Sequence, residues 1–256
     1  MDFWVYMKQE REINAISTQR SSTYTKSLIL KILFVLSLVM VSGCGGADET
    51  CSDCDSGINN SMEDRLPPEC YEPYASELVE FNEGINAGFG KEKLPDVVLG
   101  PTVKGGLTFG ALDVLTLGSG GVITLGFSDK VIFDGPGIDF VVWENPFYIN
   151  ADPTTPYAEL GEVSVSEDGL EWVTFACTST PGEDFGKGCA GLAPRVEFDP
   201  CEVLPLDPSL VGGDQFDLST VGLSEARFVR IRDLSESGDA PTAGFDLDAV
   251  GAVHLR

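Results

Sequence analysis

Carboxylates and aromatic rings are the residues of this chain whose types and spacing could do chemistry. Gly137-Ile-Asp-Phe140, Trp143-Glu-Asn-Pro146, Gly213-Asp-Gln-Phe-Asp217 and Gly244-Phe-Asp-Leu-Asp248 each gather oxygen-bearing side chains, three of them beside glycines. Calcium takes about six to eight oxygen ligands and needs no nitrogen or sulfur. Asp139, Glu144, Asp246 and Asp248 are therefore the candidate calcium ligands. Asp246 and Asp248 stand two apart, which places them on one face of a strand. Two carboxylates there repel unless a cation lies between them, or unless Arg227, Arg230 or Arg232 on the preceding strand pairs with them. Spacing alone leaves both readings open.

Trp143, Phe147, Tyr148 and Tyr157 lie in or beside one loop-rich stretch and form a candidate stacking platform for a sugar. The alternative is that these rings are core residues. A glycosidase needs one carboxylic acid and one base or nucleophile, and Asp139, Glu144, Glu162 and Asp246 are the stock for it. Their spacing marks no facing pair. A serine triad needs a histidine base held beside its acid and nucleophile. The only histidine, His254, stands two residues from the end and reads as a structural residue of the last strand. Gly84–Lys91 superficially resembles a phosphate loop, but Ile85 replaces the first glycine of that motif and Glu92 follows the lysine.

The 256 residues carry a net charge of −25, which excludes nucleic acid as a ligand because phosphate contacts require a basic surface. The same charge keeps the folded part off anionic lipid, so most of the carboxylates serve solubility. Seven cysteines are present. Cys44 is the candidate lipidation site discussed below, and an even six remain, as expected of disulfides in an exported chain. Cys177 and Cys189 bracket a Pro/Gly-rich loop and are the leading pair. Cys70 with Cys201 and Cys51 with Cys54 are secondary pairings.

Short β-rich runs separated by Gly, Asp and Pro must position these groups. They are 77–81, 96–99, 112–117, 122–127, 138–144, 161–166, 171–176, 227–233 and 247–254. Nothing keeps a helical apolar period for three turns, so the pattern predicts an all-β sandwich or barrel. Asp168-Gly169 between alternating runs predicts a tight hairpin, with Val163 and Val165 facing inward and Trp172 covering a sheet face. The weakly patterned stretch 178–223 is too long for an unsupported loop and reads as stapled by cysteines.

Before this domain, placed at 69–256, residues 44–68 read as an acidic flexible tether ending in Pro67-Pro68. Ile32–Val41 is too short to span a bilayer but has the length of a signal h-region, with Lys26 and Lys31 before it. Ser42-Gly43-Cys44 resembles a bacterial lipobox. It implies cleavage of 1–43, lipid on Cys44 and display at the bacterial cell envelope. Gly45, where inner-membrane retention would want Asp, implies the outer membrane or cell surface.

Asp139-Phe-Val-Val-Trp-Glu-Asn-Pro-Phe147, Val163–Trp172, Ala226–Asp233 and Gly244–Val250, in that order, resemble a family of myxobacteria-like cell-surface proteins and lipoproteins. The later half is also similar to discoidin and carbohydrate-binding modules of the galactose-binding jelly-roll fold. That resemblance implies a non-catalytic, glycan-binding module with a structural calcium near the last strand, Asp248 among its ligands. The other readings are a structural or adhesive envelope protein that binds other proteins, and a carboxylate glycoside hydrolase.

Overall fold

A computed structural model describes residues 66–102, 112–145, 147–149, 156–193 and 198–256. The chain divides into two compact units, Met1–Asn60 and Ser61–Arg256, and the described residues belong to the second. The leader, Cys44, most of the tether and the Cys51–Cys54 pair lie outside the described residues. Among the described residues, no helix is long and apolar enough to cross a membrane.

The fold is a β-sandwich of antiparallel sheets. One sheet has five strands in the order β1 (Glu77–Asn82), β3 (Val122–Gly126), β12 (Phe228–Asp233), β8 (Gly161–Ser166) and β9 (Val173–Thr174). The other has four, in the order β10 (Asp214–Phe216), β5 (Phe140–Glu144), β13 (Asp246–Ala252) and β2 (Leu115–Thr116). Two small ribbons accompany them: β4 (Ile132–Phe133) with β11 (Glu225–Ala226), and β6 (Phe147–Tyr148) with β7 (Pro156–Tyr157). The chain passes repeatedly from one sheet to the other.

Alternation explains the main core. Ile123 and Leu125 of β3, Val163 and Val165 of β8, and Val229 and Ile231 of β12 project from the five-stranded sheet. They meet Leu115, Phe140, Val142, Phe216, Leu247 and Val250 of the other sheet. Phe140 stacks on Phe216 at 5.0 Å, and the ring of Phe175 meets both edge-on. A second cluster covers the outer face of the four-stranded sheet, where Val141, Trp143 and Ala249 pack under Tyr74, Leu206 and Val211. β5 is therefore buried on both faces, which is why its sequence is a continuous apolar run ending in Glu144.

The cover of that second cluster comes from the stretch expected to be stapled. Asp207 caps the one-turn helix α1 (Pro208–Val211) by accepting from Ser209 N. Cys177–Cys189 and Cys70–Cys201 are both bonded. In the chain-entropy account these closures contribute about 3 and about 5 kcal/mol, the longer loop more.

Three local expectations are corrected. Residues 96–99 are not a strand: Asp96–Val98 form a 3-10 turn that begins immediately after Pro95, whose ring cannot donate to a ladder. The edge strand β10 inside 178–223 was not expected, because three residues are too few to show alternation. The 163–175 hairpin forms with Ser164 opposite Thr174, but through a longer loop than Asp168-Gly169 predicts. Asp168 Oδ1 accepts from Leu170 N and Glu171 N, and these two bonds hold its carboxyl below the usual range. Trp172 covers its sheet face under the Arg230 guanidinium, 3.6 Å from the ring centre.

Candidate functional site

Antiparallel pairing gathers carboxylates at one rim of the sandwich. The end of β5 lies beside the start of β13 (Glu144 opposite Leu247) and the start of β10 (Asp214 opposite Val142). In the facing sheet the end of β12 lies beside the start of β8, Asp233 opposite Gly161. The two sheets touch here: a Cβ on Gly161 would come within 2.8 Å of the Phe245 ring. Glu144, Glu159, Asp214, Asp233 and Asp246 thus arrive from five different segments. The β6–β7 ribbon adds Tyr157, opposite Phe147 in register.

These carboxylates divide into two kinds. Asp233 and Asp214 are fully used by the fold. Asp233 accepts from Gly120 N, Ser235 N and Oγ, and Phe245 N. Its approach requires Gly244, where φ is +79° and a side chain would collide with the carboxylate. Asp214 accepts from Gly191, Leu192 and Ala193 N at 2.7–3.1 Å, yet burial pushes it up to about 6.

Glu144, Glu159 and Asp246 are less completely engaged. Asp246 takes the Thr116 hydroxyl, and burial pushes it up to about 6. Glu159 accepts a backbone bond from Gly244, but burial and then Asp246 push it up to about 8. Glu144 is only 3 % exposed. Its Oε1 has one long contact from Asp246 N, 3.4 Å, and its Oε2 has no hydrogen-bond partner among the described residues. Burial, then Asp246 and Glu159, raise its pKa well above the carboxylate range. Tyr157 is 46 % exposed. Partial burial raises its phenol, helped by Glu159, Asp246 and Glu144.

The four expected calcium ligands therefore do not form one site. Glu144 and Asp246 come together at this rim. Asp139 precedes β5 and lies at the opposite end, roughly 17 Å away along the strand at about 3.3 Å per residue. There its oxygens are taken by Gly135 N (2.8 Å), Leu218 N (2.7 Å) and His254 Nδ1 (2.8 Å). Asp134 and Asp217 complete a close group of three carboxylates around it, but the buried member is already satisfied by donors of the chain. His254 lies just past the end of β13 rather than in the last strand, and packs against Phe133. Asp248 is buried within β13, where a bulge between Leu247 and Ala249 interrupts the alternation. The two-residue spacing thus no longer sets its face relative to Asp246.

The arginine alternative is also overturned, because β12 belongs to the opposite sheet. Arg232 pairs with Glu162 at 2.9 Å and Arg230 stacks on Trp172. Of the glycosidase stock, Glu162 is held by that arginine on a sheet face and Asp139 is at the far rim. Lys91 of the glycine-rich loop pairs with Glu83.

The aromatic platform is broken in the same way. Trp143 has no exposure. Its ring packs on Tyr74 and Phe198, and its Nε1 donates to the Val211 carbonyl at 3.2 Å. Gly213, with φ +78°, leaves room for the indole, which a side chain there would strike at 2.7 Å. Tyr148 is half-buried, and the side chain of Phe147 lies outside the described residues. Among the described rings of that platform, Tyr157 alone keeps the expected exposure. The chain matches no known family model and no curated protein. Glu159, Asp214 and Asp233 were not anticipated as neighbours of Glu144, since only strand pairing brings them together.

Proposed function

We propose that the chain is a lipid-anchored binding module of a bacterial envelope that takes a glycan at the Tyr157 rim. The observation that carries this reading is an exposed tyrosine ring standing among carboxylates that retain unused acceptor capacity. A sugar offers an apolar face to such a ring and hydroxyl donors to such oxygens. The acidity of the rim selects neutral or basic glycans, because uronates, sulfates and phosphates would be repelled. The jelly-roll resemblance of the later strands points the same way. Cys44 supplies the lipid and 44–68 the reach, so the membrane is a partner only through the acyl chains.

One observation favours a second reading, a carboxylate glycoside hydrolase. Glu159 at about 8 keeps its proton near neutrality while Asp246 at about 6 is largely ionised, the division of labour that such an enzyme requires. A glycan array probed with the full chain tests the first reading: Tyr157→Ala is expected to lower binding at least tenfold. An array without hits, or hits that survive Tyr157→Ala, would remove it. Release of reducing ends from bound glycans, lost in Glu159→Gln, would instead establish hydrolysis.

A further inference from the structure

We propose that Arg230, seated on Trp172 on the outer face of the five-stranded sheet, docks the carboxylate of a singly charged sugar acid. This site is separate from the Tyr157 rim, takes the charge class that the rim repels, and does not rest on the reading given to it. Val229 and Ile231 of β12 and Val163 and Val165 of β8 fill the core. Alternation therefore turns Phe228, Arg230, Arg232, Glu162 and Ser164 outward. Neighbouring rows of this face treat their arginines differently. Arg232 stands opposite Glu162 in register and pairs with it at 2.9 Å. Arg230 stands opposite Ser164, a hydroxyl where a carboxylate would complete the pair. Among the described residues, Lys91, Lys93, Lys130, Lys187, Arg232 and Arg256 each meet a carboxylate, whereas Arg227 and Arg230 meet none. Arg227 is exposed and served by water. Arg230 is half-buried and has exchanged part of its hydration for the indole, in a chain with a net charge of −25.

The guanidinium is fixed at two points, 3.6 Å from the Trp172 ring centre and through Nε, which donates to Thr124 Oγ1 at 3.3 Å. Trp172 is itself held by its Nε1 bond to the Gly169 carbonyl at 3.2 Å. Nε is the one nitrogen of that guanidinium with a partner among the described residues. The terminal pair is left as a planar fork, the shape that takes a carboxylate through two parallel bonds. A fork already ordered loses little entropy on binding. The exposed Thr174, bonded to Ser164 at 2.9 Å, continues the row, and the half-buried Phe228 ring is the next outward residue of β12. A sugar acid matches all three: a carboxylate for the fork, hydroxyls for Thr174 and an apolar ring face for Phe228. Exposed Glu77 and Glu80 of β1 lie on the same face, opposite Gly126 and Thr124. They repel a polyanion, so one carboxylate per ligand is preferred.

The test is calorimetry on the full chain in detergent with a neutral oligosaccharide ending in one glucuronate, the methyl ester of that sugar, and a glutamate-containing peptide. The acid is expected to bind and the ester to bind at least about tenfold more weakly, the worth of one charge-assisted hydrogen bond. Arg230→Lys keeps the charge, loses the fork and is expected to weaken the acid by a similar factor. Ser164→Glu copies the Glu162–Arg232 row and is expected to fill the fork from within, abolishing binding without lowering Tm. If that variant melts early, Arg230→Lys decides alone. Tyr157→Ala is expected to leave this binding unchanged, which separates the site from the rim. No binding of the acid, equal binding of the ester, or full affinity in Arg230→Lys would overturn the proposal. So would loss in Tyr157→Ala, which would move the ligand to the rim, or tighter binding of the peptide, which would make the partner a protein.

Discussion

Removing the indole of Trp143 empties a space enclosed by Tyr74, Phe198, Leu206 and Val211 and orphans the Val211 carbonyl. Changes of this kind cost about 3–5 kcal/mol. Trp143→Ala should therefore shift the urea midpoint far down, whereas Tyr157→Ala, at an exposed site, should cost below about 1 kcal/mol. That contrast separates a core ring from a binding ring, which their shared residue class cannot do. The sequence marked both as candidates, and it could not mark Trp143 as enclosed. Its cover, Leu206 and Val211, comes from a Pro-rich segment without periodicity. Asp139 carries a parallel expectation. Asp139→Ala leaves Gly135 N, Leu218 N and His254 Nδ1 without their acceptor, at about 1–3 kcal/mol for each orphaned buried group. The loss should appear in unfolding titrations as a lowered urea midpoint.

At the scale of elements, the acidic rim makes the pairing of β5, β8, β10 and β13 sensitive to pH. A carboxyl group with a raised folded-state pKa stabilises the fold when protonated. That contribution is complete below its unfolded value, near 4, and is lost as pH rises through the folded value. The values here, about 6 for Asp214 and Asp246 and about 8 for Glu159, set the window. Tm should therefore fall as pH rises from about 4.5 to about 8.5, these three groups all contributing up to about pH 6 and Glu159 alone of them beyond it. A scanning melt across that range checks it, and a Tm that rises with pH would contradict the burial of these groups. Of the longer strands, β12 was legible by its period of two, whereas β1, β3 and β8 do not alternate in burial and were legible as β-rich runs bounded by turn residues. The two- and three-residue strands were not, since their pairing depends on neighbours distant in the chain. The rim shares that limit. Glu144 and Asp246 were visible as oxygen-rich motifs, whereas Glu159 has no motif and earns its place only by topology.

For the whole molecule, cross-linking sets the behaviour, and the proposed attachment has a direct test. A Cys44→Ala chain is expected to leave the membrane fraction for the soluble one on phase partition; retention would defeat the lipid anchor. Loss of Cys70–Cys201 in a Cys201→Ser chain should cost about 2–5 kcal/mol in an unfolding titration, and Cys177→Ser less within that range. The longer bond also governs how the molecule bears load. A pull entering from the tether meets Cys70 first, and the bond passes it directly to Cys201. β1 to β9 lie inside that covalent circuit and are shielded from extension, so only the segment carrying β10 to β13 can be drawn out. Stretched between Cys70 and Arg256, the oxidised chain should lengthen to about 200 Å and the reduced one to about 650 Å, at roughly 3.5 Å per residue. Under a pull on its two ends, the oxidised domain would thus behave as a short, self-limiting spring.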